Sequence, residues 1–253
     1  MGLVWGLICK ARLSIMLIGC AATAHAWELR DMHPARVFSK HESITINEII
    51  KVKHPAACVI TQLDGPVTVQ GWDKPLIEYT LVQKGTKDAL ENTQVTLNKQ
   101  TGSCTISAKN TAKGVAQTTL HAQVPHTCAV TIQSHRGDVV TKQLARTQSI
   151  HADYGDVNVV LSTFTPESSL FVHTQHGSIT VQAPKKIQAQ VAASTRKGKV
   201  TSDIFVTLKP HTTLLNKEFW QRIKQEVGGM LGDGGAPITL EADYGDIKLL
   251  VKN

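Results

Sequence analysis

Aromatic residues are scarce in this chain: five Phe, four Trp and three Tyr among 253 residues. That excludes a core built on large ring clusters. The abundance of Val, Ile and Thr points instead to thin, stacked layers of β-branched side chains. Beyond the N-terminus no apolar run approaches the ~20 residues that a membrane-spanning helix needs. The chain has no CxxC, HExxH, GxSxG, P-loop or Rossmann glycine pattern, so the common zinc, hydrolase and nucleotide signatures are missing. Acidic residues are few, 20 against 27 Lys and Arg, and they sit at turns. No pair of them is set up as a glycosidase would require. The formal charge of +7 is dispersed along the chain. It suits solubility or loose contact with anionic envelope polymers, and it makes no nucleic-acid footprint.

The N-terminus speaks about location. Lys10 and Arg12 precede an apolar run, Leu13 to Gly19, and Ala24-His25-Ala26 supplies small residues for cleavage before Trp27. This predicts a signal peptide over residues 1–26 and an exported protein. Overlapping it, Leu17-Ile18-Gly19-Cys20 resembles a bacterial lipobox, in which Cys20 would be lipidated and become the first residue. Periplasm and lipid-anchored envelope therefore both stand as destinations. Of five cysteines, Cys58, Cys104 and Cys128 lie beyond this region, each in or beside an apolar strand. Buried thiols are expected, and Cys58 with Cys104 is the candidate disulfide of an oxidising compartment.

Against these absences stands a repeat. HADYGDVNVV (His151 to Val160) returns as EADYGDIKLL (Glu241 to Leu250), and looser versions occur at 134–141, 174–181 and 195–202. Gly137, Gly155, Gly177 and Gly198 are 18, 22 and 21 residues apart. A period near ~20 residues with a strand-like unit is the signature of stacked repeats. Glycine suits the tight corners, where φ is often positive. The repeat turns are assigned to Gly65, Gly137, Gly155, Gly177, Gly198 and Gly245.

Residues 27–42 read as a polar linker and 43–253 as one folded domain. Strands are expected from Ser43 on, with a turn at Leu63-Asp64-Gly65-Pro66 and a helical turn opening Lys87 to Asn98. From Cys128 short strands follow about every ten residues. Only Leu214 to Val227 breaks the pattern: Leu215, Phe219, Ile223 and Val227 fall on one helical face. This predicts one late helix, stopped by Gly228-Gly229 and followed by a flexible loop. The fold class expected is all-β, a solenoid-like stack of short strands with that helix; a β-sandwich is the alternative.

The order of several short motifs resembles the bacterial adhesin-like β-solenoid family, a domain of unknown function. They are GPVTVQGWD (Gly65 to Asp73), IEYTLVQKG (Ile77 to Gly85), Val124-Pro125, the turn Arg136 to Val139, and the closing YGDIKL (Tyr244 to Leu249). The resemblance covers roughly residues 42–252 and implies a right-handed β-solenoid, often exported or membrane-attached. It brings no catalytic residues. The adhesin label is a likeness of fold and carries no activity.

Candidate chemistry is thin. Asp138, Asp156, Asp233 and Asp246 follow glycines, but calcium-binding repeats need GGxGxD copies nine residues apart. These aspartates are expected to cap turns; Asp153, Asp156, Asp243 and Asp246 would be the ligands if calcium bound. The histidines are scattered, although His135, His151 and His173 would stack if the coils are in register. Arg136-Gly137-Asp138 begins a repeat turn and is read as that, not as an adhesion tripeptide. No enzyme, cofactor or metal is expected. The reading is an envelope structural or interaction module whose partner is another envelope protein or an anionic glycan. A polysaccharide-binding or carbohydrate-active β-helix protein is the alternative.

Overall fold

A computed structural model describes residues 42–52, 56–100, 103–110, 116–208 and 225–252. The signal peptide, Cys20 and nearly all of the linker lie outside the described residues. In chain order the elements are β1 (Glu42–Lys51), β2 (Ala57–Asp64), β3 (Val67–Trp72), β4 (Leu76–Gly85), α1 (Lys87–Glu91), β5 (Thr93–Gln100), β6 (Ser103–Asn110) and β7 (Gln117–Pro125). The repeats follow: β8 (Ala129–Arg136), β9 (Val139–Lys142), β10 (Gln148–Tyr154), β11 (Val157–Val160), β12 (Leu170–His176), β13 (Ile179–Ala183), β14 (Ala189–Lys197) and β15 (Val200–Ser202). Last come β16 (Val206–Leu208), β17 (Glu226–Leu231), β18 (Ala236–Tyr244) and β19 (Ile247–Val251).

These strands form two sheets, and each repeat contributes one strand to each. The nine-stranded sheet runs β1-β4-β7-β3-β9-β11-β13-β19-β15. The ten-stranded sheet runs β16-β17-β14-β18-β12-β10-β8-β2-β6-β5. Burial alternates along the strands, as in β14, so every second side chain enters the space between the sheets. Parallel register then stacks like on like. One inner column is Ile60, Ile132, Ile150, Val172, Leu240 and Ala193. The facing column is Val67, Val139, Val157, Ile179, Ile247 and Val200. Nearly all of these side chains are fully buried, each larger one stabilising the fold by roughly 1.5–3 kcal/mol relative to exposure. The expected all-β solenoid-like stack is the fold observed.

The corners explain the glycines. Gly137, Gly155, Gly177 and Gly245 have φ of 109°, 134°, 155° and 156°. Each donates its N–H to the next rung, as Gly155 does to the His176 carbonyl at 2.9 Å. A Cβ on Gly177 would land on the Gly155 carbonyl oxygen, and one on Gly198 would meet that of Gly245. The corner backbones pack so closely that no side chain fits.

Three features depart from a uniform stack in chain order. First, the last repeat in sequence does not end the stack: β18 lies between β12 and β14, and β19 between β13 and β15. Any rung with the same corner can occupy any level, so a repeat motif specifies a rung and not its neighbours. Second, the late helix does not reach Val227. Residues 209–224 of that expectation lie outside the described residues, but Glu226 and Val227 open β17, which pairs antiparallel with β14 and β16. Gly228 and Gly229 sit inside that strand and stop nothing. A Cβ on Gly229 would meet the Thr207 carbonyl at 2.5 Å, so glycine here serves close strand packing. Met230 and Leu231 belong to the strand, not to a loop. Third, both ends of the stack depart from the parallel coil: β1–β4, β4–β7 and β5–β6 pair antiparallel at one end, and β14–β17 and β16–β17 at the other. The helical turn is found as α1, capped by Thr86, whose hydroxyl accepts from Ala89 N–H at 3.3 Å.

The corner argument predicts that Gly177→Ala lowers stability by roughly 2–4 kcal/mol in urea unfolding. Gly228→Ala, where a Cβ meets nothing within 4 Å, should change it by less than about 1 kcal/mol.

Candidate functional site

Stacking that aligns the inner columns also aligns the outer ones. On the outer face of the ten-stranded sheet, strands β8, β10, β12, β18 and β14 present polar side chains in rows. A continuous chain of contacts crosses these five strands. His135 Nδ1 lies 2.8 Å from Asp153 Oδ2, and Asp153 Oδ1 lies 3.5 Å from His151 Nε2. The His151 and His173 rings stack at 4.6 Å with their Nδ1 atoms 3.1 Å apart. His173 Nε2 is 3.9 Å from Asp243 Oδ2, whose other oxygen is 3.2 Å from Arg196 Nε. The aspartates are about 30% exposed, which leaves part of each carboxylate open to a ligand.

A second row stands at the corner, one residue before each glycine. In spatial order it reads Asp64, Arg136, Tyr154, His176, Tyr244 and Lys197. Tyr154 stacks on His176 at 4.9 Å and His176 on Tyr244 at 4.7 Å, with interplanar angles of 5° and 14°. Lys197 Nζ covers the far face of the stack, 4.9 Å from the Tyr244 centroid. His135 meets Tyr154 edge-on. The ring faces are occupied by one another, so the row offers its edges: phenol hydroxyls and imidazole nitrogens. Lys109, Gln133, Ser134, His135, His151 and Asp153 line an open depression of about 550 Å³ beside it.

Three of the four glycine-following aspartates, Asp138, Asp156 and Asp246, are caps, but of the next rung and not of their own turn. Asp138 Oδ1 accepts from Asp156 N–H at 2.9 Å, Asp156 Oδ1 from Ser178 N–H at 2.7 Å, and Asp246 Oδ1 from Lys199 N–H at 2.9 Å. Asp153 and Asp243 are engaged by His and Arg as above. Among the described residues no group of three or more His, Cys, Asp or Glu is placed to hold a metal ion. Arg136-Gly137-Asp138 is the β8–β9 corner. His135 does not stack on the other two histidines; it pairs with Asp153 instead.

Cys58 and Cys104 face each other in register on adjacent parallel strands. Both are thiols, fully buried, and so is Cys128. The hydrogen bond with Cys104, then burial, push the Cys58 thiol well up from its ordinary value. Burial raises that of Cys128 to about 12. Neutral thiols of this kind are poor nucleophiles.

Sequence reading missed Arg196 and the Tyr154–His176–Tyr244 stack. The signal was available: aligning the repeats on their glycines puts Arg, Tyr, His, Lys and Tyr in one column. What alignment could not supply is the spatial order that brings Asp243 between His173 and Arg196.

If the aspartates act as caps, Asp156→Ala should cost about 1 kcal/mol in urea unfolding. The melting temperature should be equal in calcium and in chelator; a calcium-dependent rise would contradict the capping role.

No curated protein matches the chain. Among solved structures, a "putative cell adhesion protein" from Clostridium sporogenes superposes with a TM-score of 0.57 at 11% identity, covering 83% of this chain and 100% of that one. A "putative adhesin" from Bacteroides fragilis gives a TM-score of 0.30 at 12% identity, over 81% and 97% of the two chains. The first of these supports the fold and nothing more. Among the described residues no helix is long and apolar enough to cross a membrane. Residues 50–250 match the family model Toastrack DUF4097, and the chain belongs to that family.

Proposed function

We propose that this protein is an exported, non-enzymatic interaction module of the cell envelope, and that the outer face of the ten-stranded sheet is its binding surface. The observation that carries the reading is the corner row, in which Arg136 and Lys197 flank three stacked rings. Four rung spacings separate the two cations, roughly 19 Å along the stack. A linear anionic glycan lying along the stack would meet Arg136, the ring edges and Lys197 in turn, with Arg196 beside them. Each contact is weak and solvent-screened. Affinity comes from their number and their fixed spacing, which costs little ordering on a rigid sheet. Export is supported by the N-terminal pattern of Lys10, Arg12 and Ala24-His25-Ala26.

Two measurements test this. Binding of purified anionic envelope glycan should weaken at least about tenfold in Arg136→Glu/Lys197→Glu and fall with added salt. Salt-independent binding, or binding indifferent to that charge reversal, would contradict it. For export, the intact mass from a bacterial host should begin at Trp27, or at a lipidated Cys20. A mass retaining residues 1–26 in full would exclude both routes. The exported chain, unfolded before thiol titration, should show one thiol among Cys58, Cys104 and Cys128 if the oxidising compartment closes the Cys58–Cys104 bond, and three if it does not.

A further inference from the structure

The two ends of the stack are built differently. At one end the terminal strands are β15 and β16, three residues each. Short edges of this kind discourage further pairing. At the other end, among the described residues, the terminal strands are β1, ten residues long, and β5, eight residues long. Their registers with β4 and β6 are unbroken by any bulge. The outward positions of β1 are Ser43, Thr45, Asn47, Ile49 and Lys51, and those of β5 among the described side chains are Gln94, Thr96 and Asn98. Only Lys51, at the end of β1, is charged, and none is proline. Ile49 is 64% exposed. On the inward side Ile44, Ile46, Val95 and Leu97 are only partly buried, beside the half-buried Glu48, and Ile44 rests on Ala89 and Leu90 of α1, so among the described residues the apolar interior is incompletely covered at this end.

This end is also stepped. Past the β2–β3 rung, the nine-stranded sheet continues for three strands (β7, β4, β1) and the other sheet for two (β6, β5). A step fits its own image: a two-fold axis across the end sets the long side of one copy against the short side of the other. We infer that the protein forms an end-to-end dimer in which β1 of each copy pairs with β5 of its partner. Such an interface is isologous, with two equivalent seams. It continues both sheets and places Ile44 and Ile46 on the same layer as Val95 and Leu97 of the second copy. Outside, it sets Ser, Thr, Asn and Ile against Gln, Thr and Asn, pairs that suit adjacent strands. The end face measures roughly 34 Å by 20 Å, near the ~800 Å² per partner of a standard specific interface. A single donated strand from another protein would satisfy one seam and leave the other open, which favours a second copy of this chain.

The test is the solution mass of the full purified chain by light scattering across a concentration series, with circular dichroism as the folding check. Wild type should run at twice the mass of the single chain, 27.5 kDa when residues 1–26 are retained. Asn47→Lys/Thr96→Lys puts like charges across both seams and should give a folded monomer. Asn47→Glu/Thr96→Lys puts opposite charges there and should restore the dimer. A wild-type monomer at every concentration would overturn the inference. So would a dimer that survives the double lysine variant, or one that both variants abolish equally.

Discussion

Everything in this stack depends on how closely the corner backbones approach. At each repeat corner the space a Cβ would need holds the carbonyl of the rung beside it, as Gly155 fills the space next to Gly177. The glycines therefore do more than allow a turn. They let successive rungs dock corner on corner, with each glycine N–H donating across the gap at 2.9–3.1 Å between Gly137 and Gly245. Once the corners are locked, the strands on either side have no freedom to slip. A shift of one residue would expose every buried Val and Ile. Hydroxyls reinforce the lock from inside, Thr174 donating to Gly177 O at 3.1 Å and Thr195 to Gly245 O at 2.9 Å.

The same register makes the outer surface. Side chains two residues before each glycine form one row, and those immediately before it form another. His135, Asp153 and Asp243 owe their partners to this alignment, as does the ring stack of Tyr154, His176 and Tyr244. A polar surface fixed to a rigid sheet loses little entropy when it binds, so many modest contacts can sum to recognition. Sparse aromatics acquire a purpose here. Two of only three tyrosines stand in the same corner row. Tyr79 is the one tyrosine buried in the core, among thin layers of Val and Ile, and the other two stand on the surface.

Much of this was legible from the amino-acid sequence, for physical reasons. Corner glycines announce themselves because no other residue fits there, and period-two alternation announces strands because each has a dry side and a wet one. The short strands expected about every ten residues from Cys128 are observed, as β8 to β15 through Ser202. What stayed hidden was non-local. Strand β18 resembles β10 in sequence, and nothing in ADYGD says that it inserts between β12 and β14. The apolar spacing that ends at Val227 suggested a helix, whereas pairing with β14 draws Glu226 to Leu231 into a strand. A tertiary partner outweighs a local period when it satisfies the whole backbone. Asp138, Asp156 and Asp246 are caps as expected, but the group each one caps belongs to another rung.

The account rests most directly on that inserted rung, because only with it does Asp243 bridge His173 and Arg196. Engineered cross-linking decides the matter. Thr180 and Lys248 are register partners on β13 and β19, whereas Thr180 and Thr201 lie one further rung apart. Neighbouring parallel strands hold such residues within the ~4.4–6.8 Å between Cα atoms that a disulfide requires, and a doubled spacing does not. The account predicts that Thr180→Cys/Lys248→Cys closes under mild oxidation while Thr180→Cys/Thr201→Cys stays open. The reverse pattern would mean that the rungs stack in chain order, and the outer network described here would not exist.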